Sequence, residues 1–143
     1  MKHQFLTLAT CALLLLAAGC KPKEEPVDPQ KALYGNVARP EWVAPEDYDY
    51  TSSMTAVISM DSLVTSSEDV LAAFIGDECR GIATYDSGLF YLYIAGPGET
   101  VTLRYWSAQY TNLFVAADAF PYVNDAQQGS YNTPFVPIVV VTD

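Results

Sequence analysis

The clearest fold signal in the chain lies in residues 89–106, which carry the sequence LFYLYIAGPGETVTLRYW. Apolar side chains recur at every second position on both sides of the Gly96-Pro97-Gly98 turn, a period typical of half-buried β-strands. With a four-residue loop at 96–99, the two strands form a hairpin whose inward face pairs Ile94 with Val101, Leu92 with Leu103, and Phe90 with Tyr105. A slip of one residue would mix apolar and polar faces, so burial selects this register.

The outward face of that hairpin supplies the candidate ligand-binding residues, together with an aromatic residue further upstream: Trp42, Tyr91, Tyr93, Arg104 and Trp106. A flat aromatic ring complements the C–H face of a sugar ring, so a row of such rings on a sheet predicts carbohydrate binding. The same register places Arg104 beside Tyr91 and Trp106 in a predicted cation–π contact. The structural alternative is that these aromatics stabilise the sheet, or that residues 42–50 cover them.

Beyond this hairpin, short apolar or alternating runs separated by turn residues continue in both directions. They predict five further strands at residues 54–60, 70–75, 79–85, 113–117 and 135–141. Seven short strands with frequent turns and no strong helical stretch are typical of a sandwich. We therefore predict that residues 41–143 form an all-β domain, an antiparallel immunoglobulin-like β-sandwich of about seven strands.

The N-terminus carries a targeting signal. A short cationic start precedes an almost unbroken apolar run at residues 5–18, which is shorter than the ~20 residues that span a bilayer and fits a signal peptide. The run ends in Leu16-Ala17-Ala18-Gly19-Cys20, which resembles the lipobox of bacterial lipoproteins. The resemblance implies cleavage after residue 19 and acylation of Cys20, so that lipid chains attach the protein to a membrane.

Residues 20–40 form the predicted tether between the lipid and the domain. Three prolines and five charges lie within residues 21–29, a composition that cannot bury a core. The Lys23-Glu24-Glu25 run resembles the acidic export tag of some bacterial surface lipoproteins. We therefore expect a protein anchored to the outer membrane by lipid and exposed on the cell surface.

Composition excludes several kinds of chemistry. The single histidine is His3, so cleavage after residue 19 leaves no histidine for a Ser-His-Asp nucleophile or for zinc. After that cleavage Cys79 is the one cysteine besides the acylated Cys20, so no disulfide within the domain is expected. No acidic loop has EF-hand spacing, so calcium is considered but not favoured, and we predict no metal and no cofactor.

Charge is divided unevenly along the chain. Residues 40–143 contain 14 acidic side chains but only two basic ones, Arg80 and Arg104, which gives a net charge of −12. Such an acidic body repels nucleic acid and anionic lipid head groups. Most of the acidic residues at 46–49, 68–69 and 77–78 are interpreted as belonging to solvated turns.

The body as a whole resembles a recurrent β-sandwich module of secreted and surface-anchored bacterial proteins. The matching features are Trp42-x-x-Pro45-x-x-Tyr48-x-Tyr50, Ser53-Met54-Thr55, residues 69–81, residues 89–94 and 100–106 with Gly98-Glu99 between them, Gly129-Ser130 and Pro134-Phe135. The resemblance implies a β-sandwich with an extracellular location and carries over no activity.

Three functions follow, in order of preference. The first is a surface-anchored lipoprotein with a non-catalytic module that binds a glycan or an extracellular protein. The second is a structural or assembly subunit of a cell-surface complex, docking through the aromatic face or an edge strand. The third, a small glycan-active enzyme using paired carboxylates, is not favoured because so small a domain offers little cleft.

Overall fold

The computed structural model describes residues 36–141, so the lipobox, Cys20 and most of the tether lie outside the described residues. Between these limits the chain contains strands and turns but no helix, which confirms the all-β class. It accordingly contains no helix of the length and apolarity needed to cross a membrane. The strands are β1 Thr51–Ala56, β2 Val70–Ile75, β3 Glu78–Asp86, β4 Leu89–Ala95, β5 Thr100–Ser107, β6 Asn112–Ala116, β7 Phe120–Pro121, β8 Gln127–Gln128 and β9 Val139–Val141.

The described strands form one mixed sheet that curls into a half-barrel. Its order is β8-β1-β4-β3-β2-β5-β6-β9, with β7 attached to β5. Most neighbours are antiparallel, but β8 runs parallel to β1, and Phe135 makes a parallel bridge with Ala56. Nine strands and a parallel pair differ from the predicted seven-stranded antiparallel arrangement, so the finer architecture is not confirmed.

The predicted pairing of β4 with β5 is wrong. β4 pairs with β1 and β3, whereas β5 pairs with β2, β6 and β7. The connection at residues 96–99 carries the chain across the core to the other layer. At the beginning of this connection, the Arg80 guanidinium donates to the carbonyl oxygens of Ala95 and Gly96 at 3.2 and 3.3 Å. Alternation alone cannot separate a hairpin from this crossover, because both turn the same side chains inward.

The inward positions predicted for these two strands are confirmed. Their six alternating apolar side chains are all buried, namely Phe90, Leu92, Ile94, Val101, Leu103 and Tyr105. They meet across the core rather than side by side, with the rings of Phe90 and Tyr105 at a centroid distance of 5.9 Å. Each such side chain contributes about 1.5–3 kcal/mol through burial, so this contact between layers is a main source of stability.

The turn between β3 and β4 is short and well determined by sequence. Ser87 and Gly88 both have positive φ, 52° and 92°, as the two central residues of a type I′ hairpin turn require. Further along β3, a Cβ on Gly81 would clash with the backbone carbonyl of Tyr93. Glycine at this position therefore lets β3 lie close to the backbone of β4 at Tyr93.

Candidate functional site

The five residues predicted to form one aromatic row lie in two groups on opposite layers. Tyr91 and Tyr93 lie on the outer face of β4, whereas Arg104 and Trp106 lie on the outer face of β5, and Trp42 precedes β1. The predicted continuous row is therefore wrong, and its cause is the incorrect pairing of β4 with β5. We call the outer surface of β4 that carries Tyr91 and Tyr93 the tyrosine face. We call the outer surface of β5 that carries Arg104 and Trp106 the arm face.

Trp106 is part of the packing rather than an exposed platform. Its side chain is only 6% exposed, and its indole Nε1 donates to the carbonyl oxygen of Val37 at 2.9 Å. Val37 in turn donates its N–H to the carbonyl oxygen of Thr111 at 2.7 Å. Residues 37–42, which we call the arm, thus lie along the arm face and cover it. A segment before β1 does cover aromatic side chains, but it is residues 37–42 rather than the predicted 42–50.

Trp42 and Arg104 meet on a third side chain that the sequence did not single out. The Trp42 ring packs edge-on against Phe74 at 5.3 Å between centroids, and the Arg104 guanidinium lies 3.9 Å from the centre of the same ring. The cation–π contact therefore exists, but with Phe74 instead of Tyr91 or Trp106. Because Phe74 is 3% exposed, this cluster offers little surface to a ligand.

The tyrosine face, by contrast, presents two rings to solvent. Tyr91 and Tyr93 are 52% and 54% exposed, their ring centroids lie 5.3 Å apart at an interplanar angle of 82°, and the Tyr91 hydroxyl donates to that of Tyr93 at 3.2 Å. This hydrogen bond and, to a smaller extent, desolvation raise the pKa of Tyr91 above its ordinary value. Its hydroxyl is therefore neutral near pH 7 and able to donate and accept hydrogen bonds.

Small neighbours leave the two rings uncovered. Ser53 of β1 lies opposite Tyr93 and Thr55 lies opposite Tyr91, while Gly81 of β3 approaches the backbone on the other side. Cross-strand neighbours on one face have Cβ atoms about 5 Å apart, so larger residues here would cover the rings. The exposure of the tyrosines is therefore a property of β1 and β3 as well as of β4.

Two grooves flank the tyrosine pair. The large groove, about 720 Å³, is lined by Tyr91 and by residues that include Thr55, Ile82, Asp86, Gln127 and Tyr131. The small groove, about 170 Å³, contains Tyr93 with Ser53 and Asp125 among its lining residues. Apolar rings with a few hydroxyl, amide and carboxylate groups are a typical lining for a small polar ligand.

Asp69, predicted to lie in a solvated turn, is part of a buried hydrogen-bond network instead. It is fully buried, and its carboxylate accepts hydrogen bonds from the Tyr105 hydroxyl at 2.5 Å, from the Ala108 N–H at 2.9 Å and from the Ser66 N–H at 3.3 Å. Burial, and then this contact with Asp69, raises the pKa of Tyr105. The interpretation of Asp69 as part of a solvated turn is wrong, since the carboxylate ties two loops together inside the fold.

Among the residues that the structure describes, neither the surface acidic groups nor Cys79 suggest a metal site or a reactive thiol. Glu78 pairs with Arg80 at 2.8 Å on the surface, and within residues 36–141 no three His, Cys, Asp or Glu side chains gather as a metal site would require. Cys79 is half-buried, its thiol donates to the carbonyl oxygen of Gly81 at 3.6 Å, and burial raises its pKa. A raised pKa disfavours the reactive thiolate.

Comparison with known proteins adds no further class: no family model matches the chain, and neither a curated protein nor a solved structure matches it significantly. The fold and the site therefore define the class by themselves, an all-β domain with an uncovered pair of tyrosines between two grooves. The resemblance to a recurrent bacterial surface module stays a prediction.

Proposed function

We propose that this chain is a lipid-anchored protein of the bacterial cell surface whose domain is a non-catalytic module that binds carbohydrate on the tyrosine face. The observation that carries the proposal is the pair of half-exposed rings of Tyr91 and Tyr93, side by side between two grooves. Ring faces stack on the C–H face of a sugar, while the phenol hydroxyls bind its hydroxyl groups.

Binding at this face requires little ordering of the protein. β4 lies between β1 and β3 in the sheet, so the backbone that carries both tyrosines is held from two sides. A tyrosine side chain has only two rotatable angles, which keeps the entropy lost on binding small. The Gln127 amide and the Ser53 hydroxyl, one in each groove, supply further hydrogen bonds that give a bound sugar its orientation.

Replacing Tyr91 and Tyr93 together by alanine is expected to weaken oligosaccharide binding about tenfold or more, a loss of about 1.4 kcal/mol or more. The free energy of unfolding should change by only about 1 kcal/mol, because both rings are half-exposed. Titration calorimetry against a panel of neutral oligosaccharides measures the first quantity, and urea denaturation measures the second.

Tyr48→Ala is the matched control, since Tyr48 is 38% exposed and is absent from the lining of both grooves. It should leave binding unchanged. Retained binding in the double variant, or an equal loss in Tyr48→Ala, contradicts a site on the tyrosine face.

The proposed anchor is supported by the lipobox at residues 16–20 and has its own test. Cells that express the chain should incorporate radiolabelled palmitate into it, and Cys20→Ala should abolish the label because the acyl-accepting thiol is gone. Protease treatment of intact cells then tests the surface location, since a domain on the outside is cleaved while a periplasmic one is protected. Palmitate labelling that survives Cys20→Ala overturns the anchor.

We further propose that the curled sheet is a variant of the immunoglobulin-like β-sandwich expected from the sequence, as the resemblance to the recurrent bacterial module implies. In support, β4 and β5 present their apolar side chains to one another from two layers, with Phe90 against Tyr105 at 5.9 Å. Two facing apolar layers are the defining packing of a sandwich.

A second candidate, an assembly subunit of a surface complex, is favoured by an apolar strip near the C-terminus. Val136, Ile138 and Val140 are 51%, 69% and 48% exposed, at alternate positions in the segment that leads into β9. β9 ends the sheet order, where a strand of another protein can pair. Absence of sugar binding across the panel, together with a discrete oligomer that Ile138→Lys dissociates, favours this candidate.

A further inference from the structure

The charged side chains that line the two grooves are both acidic. Asp86 lines the large groove and Asp125 lines the small one, and both side chains are exposed. The two carboxylates therefore stand on either side of the Tyr91–Tyr93 pair. A ligand that extends from one groove to the other meets a negative charge in each of them.

No basic side chain lines either groove. Residues 36–141 contain three basic side chains, and each of them has other partners. Arg39 donates to the carbonyl oxygen of Glu68 at 3.0 Å, Arg80 pairs with Glu78, and Arg104 lies on Phe74 of the arm face. A carboxylate or sulfate on a ligand would find no side chain of opposite charge in the lining of either groove.

The two grooves also bear on the length of the ligand. Tyr91 belongs to the large groove and Tyr93 to the small one, and residues two apart on a strand are separated by about 6.8 Å. A single sugar stacked on one ring would leave the other groove empty. A chain of several sugars crosses the tyrosine pair and makes contacts in both.

We propose, on the basis of the function proposed above, that the tyrosine face selects a neutral oligosaccharide chain and disfavours anionic ones. Uronic acids and sulfated sugars bring a negative charge beside Asp86 or Asp125, and like charges repel without the compensation that a lysine or arginine would provide. The net charge of −12 over residues 40–143 adds a longer-range repulsion that salt screens.

The test uses the lipidated protein in a detergent without a sugar head group, titrated with hexamers of glucose, mannose and N-acetylglucosamine. The hexamer that binds is compared with its dimer, with the same hexamer oxidised to carboxylates at C6, and with the methyl ester of that oxidised form. We expect the dimer and the oxidised hexamer each to bind about tenfold more weakly, and the methyl ester to recover the lost affinity.

A double variant tests whether the two carboxylates cause this discrimination against anionic sugars. The double variant Asp86→Asn/Asp125→Asn keeps the side-chain shape and one hydrogen-bonding oxygen on each residue but removes both charges. It should reduce the ratio of the Kd values for the oxidised and neutral hexamers several-fold. Equal or tighter binding of the oxidised hexamer by the unaltered protein overturns this inference but leaves carbohydrate binding intact. Failure of every neutral and oxidised sugar to bind overturns both proposals.

Discussion

Replacing Asp69 by alanine is expected to lower the free energy of unfolding by about 3–5 kcal/mol. The Tyr105 hydroxyl and the N–H groups of Ala108 and Ser66 all donate to this fully buried carboxylate. Alanine leaves the buried Tyr105 hydroxyl and the partly buried N–H groups of Ala108 and Ser66 without this acceptor, and the loops after β5 and before β2 lose their connection. Urea denaturation followed by circular dichroism measures the effect.

Two control variants separate this contact from general damage to the loop. Glu68→Ala removes the neighbouring carboxylate, which is exposed, and should change stability by less than about 0.5 kcal/mol. Tyr105→Phe removes one hydrogen bond and keeps the ring in the core, so it should cost about 1–2 kcal/mol. If Asp69→Ala costs no more than Tyr105→Phe, the carboxylate does not connect the loops in the way described.

Replacing Trp106 by alanine is expected to cost about 3–5 kcal/mol, the usual range for a large aromatic residue lost from a packed site. The indole is buried, and its hydrogen bond to Val37 secures the arm. Without it the arm should detach and uncover Phe74, on which Trp42 packs and which is 3% exposed in the folded domain. Denaturation midpoints and the rate of proteolysis within residues 37–42 measure both consequences.

Tyr91→Ala is the informative comparison, because the sequence placed Tyr91 and Trp106 in one row. Tyr91 is 52% exposed, so its removal should leave stability nearly unchanged and weaken carbohydrate binding. Trp106→Ala should do the reverse, with binding retained in whatever fraction stays folded. A Trp106→Ala protein that stays folded but no longer binds carbohydrate would contradict this division of roles. It would support one binding surface that includes both Tyr91 and Trp106.

Side-chain orientation was the part of the fold that could be predicted from sequence. The alternation in β4 and β5 identified Phe90, Leu92, Val101 and Leu103 as inward, because a strand turns successive side chains to opposite faces whichever neighbour it pairs with. The choice of neighbour could not be predicted. It depends on whether residues 96–99 return the chain beside β4 or carry it across the core, and both paths bury the same residues.

The shortest elements left no periodic signal at all. β7 and β8 have two residues each, too few for a period to show, and β8 pairs with β1 from more than 70 residues away in the chain. The arm likewise has no alternating pattern. It is attached to the domain through single residues, with Val37 in contact with β5 and Trp42 in contact with β2. Such contacts are set by tertiary packing rather than by local sequence.

The candidate site was predicted in part for the same reason. The outward direction of Tyr91 and Tyr93 followed from alternation, and both are exposed. Their grooves were not predictable, since Gln127 and Tyr131 reach the large groove from a segment that is distant in sequence. The small size of Ser53 and Gly81 was a visible signal, but its meaning depended on knowing that β1 and β3 flank β4.

The position of the arm has a consequence for orientation. The chain enters the domain beside Trp106, on the layer whose outer surface points away from the tyrosines. If the proposed lipid is attached at Cys20, the predicted tether would join the domain on the side of the arm, away from Tyr91 and Tyr93. A carbohydrate bound at the proposed site would then lie on the side of the domain opposite the point where the tether attaches.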